Sequence, residues 1–212
     1  MINKIKYWGF IFLICTAVSG QSVNTKQPNI LWISIEDISP DLGCYGDKLA
    51  KTPVLDELAK KGFRYTNAIA TAPVCAPARN SIITGMYPTS TGGADMRTMG
   101  KLPKNVLLYP EILRKQGYYC TNNVKEDYNL DLKRNIWDES STSAHWKNRP
   151  SPETPFFAIF NLTLTHESCI NNEVKHNLKT KNLPEDLRIN PKDVTVPPYF
   201  PDTPVVRELL AR

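Results

Sequence analysis

Two near-continuous apolar runs constrain the fold most: "NILWISI", Asn29 to Ile35, and "PFFAIFNLTL", Pro155 to Leu164. Each has the length of a strand, and neither alternates polar with apolar residues. That is the pattern of strands covered on both faces, as in parallel sheets. Pro155 stands at the edge of the second run, where no ladder donor is needed. Helices with a shared proline-start, glycine-stop grammar lie between the runs. Thr52 as N-cap, Pro53 and "VLDELAKK" stop at Gly62; "PARNSIIT" stops at Gly85; "YPEILRKQG" stops at Gly117. "FRYTNAIA" and "YYCTNN" read as short strands. The alternation predicts an α/β fold, a mostly parallel sheet flanked by helices and joined by right-handed crossovers. From about Asn171 the chain turns polar and proline-rich, through "LPEDLRINPKDVTVPPYFPDTP", and reads as a long surface loop. A last helix begins at "TPVVRELLAR" and runs to Arg212 with neither cap nor glycine, the look of a truncated chain.

With 41% hydrophobic and 22% charged residues, the 212-residue chain can bury one core. Its formal charge of +5 includes Lys4 and Lys6, which leaves +3 after residue 20. So mild and scattered a charge argues against a nucleic-acid partner. Residues 1–20 read as a secretory signal peptide: a basic start, an apolar run from Tyr7 to Cys15, then small residues, with cleavage near Ser19 to Gln21. The run is too short to span a bilayer comfortably, so no transmembrane segment is expected in the mature chain. The reading is an exported, periplasmic or secreted protein. Lipid anchoring at Cys15 is the alternative, and the bulky Ile14 before it argues against that. Export leaves Cys44, Cys75, Cys120 and Cys169, an even number that invites disulfides. Their long, unpatterned spacing favours free thiols instead, with Cys44 and Cys120 buried.

The polar residues that interrupt this framework fall after strands. Glu36 and Asp37 follow the first, Lys125 and Asp127 follow "YYCTNN", and His166 follows "FFAIFNLTL". In an open parallel sheet the carboxyl ends of the strands share one rim, where ligands bind. Singly, each residue has an ordinary reading: paired acids are usually solvated, and Lys125 beside Glu126 is by default a surface pair of little worth. Their common position is what raises them to a candidate site. Cys75 stands apart by its surroundings. It precedes Pro77 at a helix start and has Arg79 one turn on. Unpaired amides, the helix dipole and a guanidinium there lower a thiol's pKa and favour anions. The alternative is a small buried residue at a helix start.

"CAPAR", Cys75 to Arg79, with the following "NSIITGMYPTSTG", resembles the signature of type I sulfatases, Cys-x-Pro-x-Arg followed by an apolar pair and Thr-Gly. "PNILWISIEDISPDLGCYGD" resembles that family's N-terminal metal-binding segment, in a style close to the heparan N-sulfatase-like, or sulfamidase-like, bacterial group. The resemblance implies an alkaline-phosphatase-like α/β fold, with residues 27–212 as the N-terminal part of a catalytic domain. It also implies that a separate maturation enzyme converts Cys75 to Cα-formylglycine, whose hydrate attacks sulfur. Arg79 would hold that side chain. Glu36, Asp37 and residue 75 would bind one divalent cation, usually Ca²⁺, and Lys125 and His166 would contact sulfate. The implied reaction is cleavage of a sulfate ester or sulfamate, on a sulfated glycan. Converging positive charge suits it, since the substrate's negative charge must be neutralised for attack.

Three departures qualify the resemblance. Glu36 stands where the family usually has Asp. Asp127 stands where a His is frequent; an ionised acid cannot donate to sulfate, which leaves recognition of a substrate amine. The family's later Asp-Asn metal pair and second sulfate-binding lysine fall beyond Arg212, so the cation would lack about half of its six to eight oxygens. Two alternatives stand beside the sulfatase: a phosphonate or phosphate monoesterase of the same superfamily, and a non-catalytic relic that binds sulfated glycan. "NLT" at Asn161 matches a glycosylation acceptor, but it lies in a predicted buried strand and reads as chance.

Overall fold

The computed structural model describes residues 26–169 and 173–211. The signal peptide read at 1–20, with Cys15, lies outside the described residues. Four parallel strands form one sheet in the order β1, β4, β2, β3: β1 is Ile30–Ile35, β2 Tyr119–Asn123, β3 Glu139–Ser140 and β4 Phe156–Leu162. Among the described residues six α-helices accompany them: α1 (Pro53–Lys61), α2 (Cys75–Thr84), α3 (Pro88–Thr91), α4 (Tyr109–Lys115), α5 (Glu173–Thr180) and α6 (Pro204–Leu210). The proline-and-glycine grammar marks real boundaries. Pro53 opens α1, Gly62 follows it, and Gly85 takes the left-handed conformation (φ 68°) that ends α2. Such a conformation strains a residue with a Cβ far more than it strains glycine.

One face of the sheet holds the core. Phe157 and Ile159 of β4 and Cys120 of β2 pack with Ile83 of α2, Leu108, Ile136 and Trp137. Trp137 stacks on Phe157 at 6.1 Å, and Tyr109 meets the same ring edge-on at 5.4 Å. α4 packs on β2 and on α2, which seats α2 over this face. On the opposite face Trp146 stacks on Phe156 and meets Phe160 edge-on.

Several expectations need correction. β1 is not covered on both faces. It pairs with β4 alone among the described residues, and Leu31 and Ile33 are each about half exposed on the face away from α4. "FRYTNAIA" forms no strand: Tyr45 Oη donates to Tyr65 O at 2.8 Å and Arg64 donates to Cys44 O, so side chains hold this segment where a ladder was expected. The polar tail is not wholly a loop, because α5 occupies its proline-free start. α2 begins two residues earlier than "PARNSIIT", which places Cys75 inside the helix. All four described cysteines are free, but Cys44 is only partly buried.

Burial pushes the Cys120 thiol up to about 12, and Asp138 nearby adds to the rise. The phenols of Tyr109 and Tyr128 are likewise raised by burial. The unfolded thiol ionises near 9, so the stabilisation is complete below that pH and is lost as pH rises towards 12. Urea unfolding across pH 8–11 is therefore expected to show falling stability above about 9, with a shallower fall in Cys120→Ala. A flat profile, or an unchanged slope in the variant, would contradict this account of the core.

Candidate active site

Parallel pairing puts the carboxyl ends of β1, β2 and β4 on one edge, and the polar residues follow from there. Glu36 comes directly after β1, Lys125 two residues after β2 and His166 four after β4. Glu36 N donates to Leu162 O at 3.4 Å, Thr165 Oγ1 donates to Glu36 O, and Glu167 N donates to Asp37 Oδ2 at 3.1 Å. These bonds tie the ends of β1 and β4 together, so that Glu36, Asp37 and His166 share a short stretch of the rim. Asp37 sits at φ 53°, a left-handed turn that carries the chain away from the strand end.

Lys125 Nζ forms an ion pair with Glu36 Oε1 across the rim. The side chains are 17% and 10% exposed, so the pair is largely removed from water. The other carboxylate oxygen, Glu36 Oε2, is buried and has no hydrogen-bond partner among the described residues. A buried oxygen in that state costs free energy unless something meets it. An ammonium has three donors, so Lys125 keeps two for another ligand.

Arg79 lies one turn after Cys75, on the same side of α2. Each of its three guanidinium nitrogens donates one hydrogen bond: Nε to Glu126 O at 2.8 Å, Nη2 to Lys125 O, and Nη1 to Asn161 Oδ1 at 3.1 Å. The guanidinium also lies 5.6 Å from the centre of the Tyr128 ring. Arg79 thus fastens α2 to the loop that carries Lys125. At His166, Ser168 N donates to Nδ1 at 3.2 Å, which places the proton of a neutral ring on Nε2. Cys75 is partly exposed at the first turn of α2, where amides lack intrahelical acceptors. Asp127 is exposed, in a left-handed conformation at φ 41°. Among the described residues no hydrogen bond or ion pair joins Cys75 or Asp127 to the other candidates.

Sequence reasoning missed two residues at this rim. Asn161 and Asn122 are buried and hydrogen-bonded to each other at 3.0 Å. Each is an amide inside a strand, and the glycosylation-like context of Asn161 was the one signal that marked it.

The residues present test the implied calcium only in part. Glu36 Oε2 and the Asp37 carboxylate are the hard oxygens a calcium ion takes. Among the described residues, however, no group of three or more His, Cys, Asp or Glu is close enough to hold a metal. The donor set is right in kind and short in number, and no chemical step is assigned to the ion.

Comparison with known proteins decides the family. The sulfatase family model matches residues 28–181. The chain belongs to the sulfatase family. It is 37% identical to an ulvan-active sulfatase of Formosa agariphila over 225 residues, covering 86% of this chain and 37% of that protein. It is 33% identical to human iduronate 2-sulfatase over 134 residues, covering 61% of this chain and 24% of that one. The sulfatase chain thus spans well under half the length of these relatives. Among solved structures, BT4656 in complex with its substrate D-glucosamine-2-N,6-O-disulfate superposes with a TM-score of 0.58 at 21% identity, over 67% of this chain and 35% of that one. BT1596, a 2-O GAG sulfatase, superposes at 0.56 and 20% identity, over 71% and 37%. These two show a shared fold, the α/β architecture of alkaline-phosphatase-like sulfatases.

The ion pair at the rim makes a direct prediction. Lys125→Met leaves Glu36 a buried charge with neither oxygen paired by the ammonium, and is expected to cost about 3 kcal/mol in urea unfolding with EDTA present. Glu36→Gln in that background should recover more than half of the loss. Equal stability of wild type and Lys125→Met would show that the pair is not formed.

Proposed function

We propose that this chain is the N-terminal part of the catalytic domain of an exported sulfatase that hydrolyses a sulfate ester or sulfamate, with Cys75 as the precursor of its nucleophile. The observation that carries the reading is Arg79, which from one turn beyond Cys75 fastens the helix to the Lys125 loop. A tetrahedral anion seated by the first turn of α2 would meet positive charge on the side from which Lys125 comes. The family likeness supports conversion of Cys75 to formylglycine by a maturation enzyme that supplies the oxidant. As its hydrate, that residue supplies an oxygen nucleophile and a second hydroxyl, whose deprotonation releases sulfate and restores the aldehyde.

The chain's own residues hold and orient. Lys125 offers its two remaining donors to sulfate oxygens, and His166 offers Nε2–H to sulfate or to the leaving oxygen. Arg79 gives three of its five N–H groups to two carbonyls and Asn161, which places the Lys125 loop beside residue 75. Its remaining N–H groups are the donors for the direct hold on the modified side chain that the resemblance implies. Glu36 Oε2 and Asp37 are the described ligands for a Ca²⁺ ion, whose remaining oxygens must come from elsewhere. Asp127 is the candidate for recognition of a substrate amine. The relatives active on ulvan and on iduronate 2-sulfate, and the neighbour bound to a disulfated glucosamine, favour a sulfated glycan as the substrate.

The test uses the protein exported from a host that carries the maturation enzyme. Mass spectrometry of the Cys75 peptide is expected to find the aldehyde or its hydrate in place of the thiol, and Cys75→Ala should lower release of sulfate from a sulfated glycan by about a thousandfold or more. A thiol throughout, or a clear preference for aryl phosphate over aryl sulfate, would overturn the reading.

A further inference from the structure

The core face changes character along the strands. At its amino end it is aromatic and aliphatic. At its carboxyl end it is lined by Ser34 of β1, opposite Asn161 of β4, and by Asn122 of β2, opposite Ile159 and so on the same face. Asn161 is 7% exposed, and all four of its hydrogen-bonding positions are used. Its Oδ1 accepts from Ser34 Oγ at 2.7 Å and from Arg79 Nη1 at 3.1 Å. Its Nδ2 donates to Asn122 Oδ1 at 3.0 Å and to Val124 O at 2.6 Å. One carboxamide therefore touches β1, the end of β2 and α2 from its own place on β4.

The loop it steadies needs such support. Lys125, Asp127 and Asn129 all have positive φ, at 51°, 41° and 54°, without a glycine among them. Residues held there cost free energy that the surroundings must offset. Asn161 Nδ2 fixes the loop at Val124 O, immediately before Lys125. Asn161 Oδ1 fixes Arg79 Nη1, and the other arms of the same guanidinium hold the carbonyls of Lys125 and Glu126. Leucine at 161 would take the acceptor from Ser34 Oγ and from one guanidinium nitrogen in a closed space, and would leave Val124 O with only Asn122 Nδ2 and Asn122 Oδ1 with only Tyr128 Oη as donors among the described residues.

We propose that Asn161 is a positioning residue, whose carboxamide locks the Arg79 guanidinium and the Lys125 loop in one arrangement beside Cys75. It touches no substrate. Its effect reaches the site through Arg79 and Val124, and its bearing on catalysis rests on the sulfatase reading given above. The same bonds bury the amide nitrogen that a glycan would need, so in the folded chain the "NLT" motif is not an acceptor.

The full chain, labelled with ¹⁵N, reports the lock directly through rotation of the Arg79 guanidinium, measured by NMR well below the unfolding temperature of each variant. Slow rotation is expected in wild type, and rotation at least fivefold faster in Asn161→Leu. Asn161→Ala removes the same four bonds without the crowding of leucine, so rotation there should also be at least fivefold faster than in wild type. An unchanged rate in Asn161→Leu overturns the proposal. Should that variant fail to fold, an unchanged rate in Asn161→Ala overturns it equally. A variant that is less stable overall but merely structural at this position would leave the Arg79 rate untouched at these temperatures. Titration with inorganic sulfate separates the two readings. Shifts at the Cys75 and Lys125 amides that weaken at least fivefold in Asn161→Leu support both. No response in wild type, with the Arg79 rates as expected, removes the sulfatase reading while Asn161's hold on Arg79 stands.

Discussion

The guanidinium of Arg79 is the contact on which the rim depends. A helix start, a loop and a strand end meet there, and each brings groups that cannot be left bare. Two backbone carbonyls, one side-chain carbonyl and one aromatic face surround a single cation. Arginine suits this place because its planar fork reaches several acceptors at once, whereas a lysine would present a point charge. With Asn80, whose Nδ2 donates to Tyr128 O at 3.0 Å, that fork holds α2 in register with the residues after β2. The sheet fixes where strands end; Arg79 fixes what stands over them.

The division of the core face into an apolar and an amide-lined half follows the same logic. The stacked rings of Trp137, Phe157 and Tyr109 supply non-directional stabilisation from burial. They would tolerate small shifts of the strands. The bonds among Ser34, Asn161, Asn122 and Arg79 are directional, and in a low-dielectric setting each must be satisfied or it becomes a cost. Stability and precision are therefore set by different ends of the same strands, and the precise end is the one that carries Glu36, Lys125 and His166. The ion pair between Glu36 and Lys125 belongs to this end: by neutralising one carboxylate oxygen it leaves the other, buried and unpaired, as the point of greatest local demand.

Much of this was legible in the sequence, and the reasons for success and failure differ. β1, β2, β4, α1 and α4 were readable because apolar run length and proline and glycine positions act locally. The placement of Glu36, Lys125 and His166 at strand ends followed from parallel topology, which the runs already implied. What one segment meets across the fold was not readable. "NILWISI" has the composition of a doubly covered strand, yet it stands at the end of the described sheet with Leu31 and Ile33 half exposed. "FRYTNAIA" has strand-forming residues but finds no ladder partner. α5 was masked by the prolines that follow it, although the eight residues of the helix itself contain none. Asn161 was hidden for a deeper reason: a polar residue in an apolar run reads as an interruption, and its meaning lies wholly in four partners far away in the sequence.

The central claim is that these strand ends and the start of α2 form one anion-binding rim around Cys75. Crystals of the protein soaked in selenate test it most directly, since anomalous scattering locates the anion without reference to any assumed chemistry. The expected result is a peak within hydrogen-bonding reach of Lys125 Nζ and the first-turn amides of α2, beside residue 75. A structure in which the Cys75 side chain points into packed hydrocarbon, or in which selenate binds only elsewhere, would contradict the account.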